Sequence, residues 1–120
     1  MKHCITCQIE SLAASGETVW TFSLPASVLP DAVILLSALV YEKTNQVKFA
    51  CQDHTAQLCA APDGFWLNLD GMQIAVTKVW LEAVLGMLLD TCVNGWSVTS
   101  HIDQEFENTS VTVAVLPPKA

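Results

Sequence analysis

Phe65-Trp66-Leu67-Asn68-Leu69-Asp70-Gly71-Met72-Gln73-Ile74-Ala75-Val76 alternates apolar and polar residues on both sides of Asp70-Gly71. That pair tolerates positive φ and suits the tight primed turn of a two-residue β-hairpin. The turn pairs Leu69 with Met72, Leu67 with Ile74 and Phe65 with Val76 on one buried face. Trp66, Asn68, Gln73 and Ala75 fall on the other. Immediately downstream the period changes from two to 3.6. Thr77 is placed to cap a helix from about Lys78 to Val93 that ends at Asn94-Gly95. Trp80, Leu81, Val84, Leu85, Leu88, Leu89 and Cys92 form one stripe on it. A hairpin followed by an amphipathic helix points to a helix lying on a sheet.

Outward from this unit the signals are mostly those of strands. After the helix, Trp96, Val98, Ser100, Ile102, Gln104 and Phe106 alternate with Ser97, Thr99, His101, Asp103, Glu105 and Glu107. A turn near Asn108-Thr109 then leads to Val111, Val113 and Val115, completing a long hairpin. Upstream, short strands are expected at about 47–52 and 56–60, with Pro62-Asp63-Gly64 as a turn. Residues 3–12 place Ile5, Cys7 and Ile9 on one side, and a turn at Ser15-Gly16 joins them to a second strand over 18–24. Pro30-Asp31 opens the run Ala32 to Lys43. Pro at a first helical position and Asp at the positive end of the helix dipole favour a helix there. The Val and Ile content keeps a buried strand open as the alternative. The sum is an α+β domain over 1–120, with 117–120 as a tail. It has an antiparallel sheet of about six to seven strands and one or two helices packed on one face.

Composition narrows the function classes. Hydrophobic residues make up 52% of the 120 and charged residues 14%, against about 25% charged in an average domain. Apolar surface is therefore expected to remain after folding, most simply covered in a homodimer. The net charge is -7, from five Lys and no Arg against twelve acids. Eight of those acids, with two Lys, lie in residues 51–120. Nucleic acid and anionic membrane surfaces are poor partners for such a chain, and a basic protein is a good one. An odd count of five Cys, with no leader read in the first ten residues, points to free thiols in a reducing cytoplasm. The longest uncharged apolar run, 32–41, is about half of a membrane span.

The sharpest candidate site is His101, Asp103, Glu105 and Glu107, successive odd positions of one strand. Presented together they could dock a basic partner, and a solvated strand face accounts for the same pattern. Trp66 and Trp20, on faces that the alternation leaves partly exposed, are candidate interface anchors. Cys4 and Cys7, with His3 alongside, have metal-like or redox-like spacing, but on a strand the two thiols point to opposite faces. Cys51, Asp53, His54 and Cys59 could hold a nucleophile or part of a metal shell, yet no elbow or known signature flanks them. No nucleotide-binding, hydrolase, zinc-protease or calcium-loop motif is present. No cofactor and no metal is expected. The function that follows is a non-enzymatic protein-interaction module, immunity- or antitoxin-like in kind. The alternative is a small-ligand binder or small enzyme with a pocket between the sheet and the 78–93 helix, using His101 or His54.

Overall fold

The computed structural model describes residues 4–118. His3, read beside Cys4, and Lys119-Ala120 of the expected tail lie outside them. Among the described residues the chain runs β1 (Cys4–Thr6), β2 (Gln8–Ala14), β3 (Glu17–Leu24), α1 (Leu29–Val40), β4 (Gln46–Ala50), β5 (Ala56–Ala61), β6 (Gly64–Leu69), β7 (Met72–Val76), α2 (Lys78–Asn94), β8 (His101–Phe106) and β9 (Thr109–Val115). No helix among these residues is long and apolar enough to cross a membrane.

The architecture is α+β, but the strands form two mixed sheets instead of one antiparallel sheet. A five-stranded sheet has the order β1-β4-β5-β6-β7, and a four-stranded sheet has the order β2-β3-β9-β8. Each contains one parallel pair, β1 with β4 and β3 with β9. The division begins at Cys7. The expected first strand breaks there, with Cys7 N donating to Ala50 O at 3.0 Å, so that its first part joins one sheet and its second part the other. Parallel partners are far apart in the chain and leave no local turn signal, unlike hairpins.

The hairpins themselves follow the alternation. β6 and β7 pair Leu69 with Met72, Leu67 with Ile74 and Phe65 with Val76, and the turn carries Asp70 at φ 48° and Gly71 at φ 87°. Leu67, Leu69, Ile74 and Val76 are buried, whereas Phe65 is half-buried and Met72, beside the turn, is exposed.

The run after Pro30 is helical. Leu29, Ala32, Leu35, Leu36, Leu39 and Val40 form its buried stripe, and Asp31 lies in its first turn. It stops at Val40, short of Lys43, because Glu42 turns into the left-handed region at φ 60°. Glu42 N and Lys43 N then donate to Leu39 O and Ala38 O at 3.2 and 2.7 Å, which satisfies the orphan carbonyls of the helix end. α2 begins at Thr77, whose side chain accepts from Trp80 N at 3.1 Å. Its buried residues are Trp80, Leu81, Val84, Met87, Leu88 and Thr91. Leu89 and Cys92, expected inside, are exposed. The helices pack on each other, with α1 against β1 and β4 and α2 against β8 and β9. One apolar cluster links both sheets and both helices.

The last hairpin is shorter than its alternation suggests. Residues 95–100 are a turn stitched to the end of α2. Ser97 N donates to Ser100 Oγ, Ser100 bonds to the buried Thr91 hydroxyl, and Trp96 Nε1 donates to Val115 O at 2.8 Å. β8 therefore starts at His101, and Val98, expected on the inner side, is exposed.

Candidate binding face of the four-stranded sheet

The inner side of this sheet is fixed by Ile9, Trp20, Phe22, Leu24, Val111, Val113 and Val115, all buried. Strand alternation then sends the intervening residues to the opposite face. The pairing aligns them in rows from β2 to β8. Gln8, Ser23, Ala114 and His101 form one row, Glu10, Thr21, Thr112 and Asp103 the next, and Leu12, Val19, Ser110 and Glu105 the third. The middle strands offer a half-buried floor rich in hydroxyls, while Glu10, His101, Asp103 and Glu105 on the edge strands are exposed. Three interstrand spacings put the two acidic rims roughly 14 Å apart.

Local bonds organise the rims. Thr112 Oγ1 donates to Asp103 Oδ1 at 2.6 Å, Ser110 Oγ donates to Glu17 Oε1 at 3.1 Å, and His101 Nε2 lies 3.8 Å from Asp103 Oδ2. Floor hydroxyls thus hold one carboxylate near each rim and leave its remaining oxygen toward solvent. No lysine falls in these rows.

Of the row expected from the sequence, His101, Asp103 and Glu105 share this face. Glu107 does not belong to it: it sits in the β8–β9 turn at φ 55°, where the alternation has ended. Glu10 and Glu17 were missed. The inward Ile9 already places Glu10 outward, but only the β3–β9 pairing brings β2 onto the sheet that carries β8.

The other candidates disperse. Trp20 is 6% exposed, packed edge-on to the His54 ring with centroids 5.1 Å apart, and so offers no surface to a partner. Trp66 is half-buried on the outer face of the five-stranded sheet, where its Nε1 donates to Asp63 Oδ1 at 3.2 Å. The two anchors therefore do not share a surface. Cys4 is half-buried and Cys7 buried, with Ile5, Cys7 and Ile9 facing inward as the alternation implies. Burial, followed by the neighbouring Cys51, pushes the Cys7 thiol up to about 12, the opposite of what a nucleophile or metal ligand needs.

His54 pairs with Asp70, Nδ1 to Oδ2 at 2.7 Å, while Asp70 Oδ1 accepts from Thr55 N at 2.7 Å. The His54 hydrogen bond, followed by that from Thr55 N, lowers the Asp70 carboxyl below the usual carboxylate range. Asp70 N also donates to Thr55 O, so this carboxylate fastens the β4–β5 loop to the β6–β7 turn. The Cys51 thiol donates to the His54 backbone carbonyl at 3.0 Å, not to the ring, and no thiol–imidazole dyad is formed. A cleft of about 440 Å³ opens beside His54, lined by Lys48, Cys51, Thr55, Gln57 and Asn68 among others. Among the described residues, neither this cleft nor three further ones on the surface is lined by a residue of α2 or by His101. The pocket expected between sheet and helix is not among them. Among the described residues no three His, Cys, Asp or Glu side chains converge as a metal shell requires.

Compared with protein-family models, with curated proteins and with solved structures, the chain matches none.

Proposed function

We propose that this chain is a non-enzymatic, self-associating interaction module of the cytoplasm. In this reading it receives a basic partner protein on the outer face of the four-stranded sheet, as an immunity- or antitoxin-like neutraliser of a cationic protein does. One observation carries the reading: exposed carboxylates line both edges of a sheet face that, among the described residues, no helix covers, with Glu10 on β2 and Asp103 and Glu105 on β8. Rims about 14 Å apart accommodate a helix of 10–12 Å diameter, whose cationic side chains reach both sides. Hydroxyls on the floor add donors and acceptors that bind without a charge requirement. Five free thiols support a reducing compartment.

The test uses a fluorescent, lysine-rich helical peptide as probe, with capture of basic proteins from lysate alongside. The wild type is expected to bind more tightly at low than at high salt. The variant Glu10→Gln/Asp103→Asn/Glu105→Gln is expected to lose most of that salt dependence. Equal binding by variant and wild type at low salt rejects the face.

A second reading, a small-ligand site, is favoured by the cleft beside His54, whose volume of about 440 Å³ falls in the range of small-molecule sites. A ligand-induced rise in melting temperature that His54→Ala abolishes would move the assignment there.

A further inference from the structure

Two of the five thiols stand opposite each other across neighbouring strands. The parallel pairing of β1 with β4 sets Cys4 against Lys48, Ile5 against Phe49 and Thr6 against Ala50. One step further the same register sets Cys7 against Cys51, and Cys7 N, donating to Ala50 O at 3.0 Å, holds that step in place. Strand alternation turns both inward: Ile5 and Cys7 are buried, and Phe49 and Cys51 pack against the same core. The strand spacing puts their Cα atoms about 4.8 Å apart, inside the range of roughly 4.4–6.8 Å that a disulfide spans. Disulfide Cβ atoms stand somewhat closer, at about 3.5–4.5 Å. Both residues lie just past the last ladder pair, where β1 passes toward β2 and β4 into the 51–55 loop, so the ladder does not hold them at strand spacing. The other three thiols have no such partner. Cys4 faces Lys48, Cys59 faces Gln46 and Trp66, and Cys92 is exposed on α2.

We propose that Cys7 and Cys51 form a site of reversible oxidation, which a hydroperoxide closes to a disulfide and a dithiol reopens. The two residues differ in access. Cys51 is half-buried and lines two clefts, of about 630 and 440 Å³, whereas Cys7 is 6% exposed and kept protonated by burial. Cys51 therefore meets the oxidant first. Its sulfur attacks the peroxide, an S–O bond forms as the O–O bond breaks, and the thiol proton leaves with the resulting water or alcohol. The Cys7 sulfur then attacks the Cys51 sulfur of this sulfenic acid. The S–S bond forms, the S–O bond breaks, and the departing hydroxide takes the Cys7 proton as water. Two electrons pass from the sulfurs to the peroxide. Proximity supplies the reactivity that burial takes from Cys7. The larger cleft is bordered by Glu10 and Asp53 and by no lysine, which favours a small neutral oxidant over an anionic disulfide. Closure also reaches His54. The Cys51 thiol donates to His54 O at 3.0 Å, and its proton is lost on oxidation. The disulfide therefore releases the turn that sets His54 against Asp70 and Trp20.

The test treats the folded full chain with a modest excess of hydrogen peroxide, blocks the remaining thiols and maps peptides without reduction. A Cys7–Cys51 cross-link that dithiothreitol reverses is the expected product. Cys4→Ser, Cys59→Ser and Cys92→Ser should each keep the link, and Cys51→Ser should lose it. Cys7→Ala should stop at the Cys51 sulfenic acid, which dimedone then labels more heavily than in the wild type. Circular dichroism before oxidation identifies any variant that fails to fold, and the wild-type map decides the matter without them. Disulfides that join other pairs, or sulfenic and higher oxides with no Cys7–Cys51 link, overturn the site. A link that forms only in urea does the same. A cross-linked protein whose His54 ring resonances match those of the reduced form overturns the release of the turn alone.

Discussion

Replacing Ser100 by Ala removes a hydroxyl that is 5% exposed and joins two chain segments. Its oxygen accepts from Ser97 N at 3.0 Å and lies 3.0 Å from the Thr91 hydroxyl, which also donates to Met87 O at 2.9 Å. In Ser100→Ala the Thr91 hydroxyl keeps Met87 O, so the loss falls on Ser97 N–H, the donor of a part-buried bond. One orphaned donor of that kind costs about 1–2 kcal/mol. For a chain of this size each kcal/mol lowers the melting temperature by roughly 3–6 °C, so a drop of about 3–12 °C is expected. Thr91→Val strands the buried Ser100 hydroxyl instead and costs a similar amount. The double variant should lose less than the sum, because each single change has already broken the shared bond. Urea unfolding followed by circular dichroism measures all four species, with Ser110→Ala on the outer face as a reference within about 0.5 kcal/mol of wild type. Strict additivity, or a Ser100→Ala variant as stable as the reference, would show that this junction does not set the start of β8 at His101.

Two further outcomes concern the remaining candidate groups. Hydrogen bonds from His54 and Thr55 lower the Asp70 carboxyl in the folded state, so its contribution to stability is present above the ordinary carboxylate range and is lost as pH falls through the depressed folded value. Asp70→Asn keeps a residue tolerant of φ 48° while removing the charge. It should flatten the decline of stability on acidification, and an unchanged acid limb in urea titrations would contradict the His54–Asp70 assignment. Among the thiols, exposed Cys92 should react with iodoacetamide at pH 8 well before buried Cys7, whose thiol is pushed up to about 12. Peptide mapping that finds Cys7 labelled as fast as Cys92 would refute its burial.

Local chemistry was enough to read several elements correctly. Asp70-Gly71 could form a primed turn, so the β6–β7 register followed to the residue. Thr77 and Gly95 bounded α2, and Pro30-Asp31 marked the first turn of α1. Each of these depends on atoms within a few residues of one another. The inward side of β2 was equally legible from Ile9, which already implied an outward Glu10. The two sheets were not legible, because the β1–β4 and β3–β9 pairs join segments with whole elements between them. The boundary of β8 was hidden for a related reason. An unbroken alternation from Trp96 was overridden where Ser100 meets Thr91 and Trp96 meets the Val115 carbonyl, partners that lie outside the alternating segment. Trp20 showed the same limit: its strand parity was readable, but its burial against His54 depended on which sheet covered which. Alternation within a strand can say that two side chains share a side. Only the packing of sheets and helices decides whether that side meets water, and which distant carboxylates lie beside it.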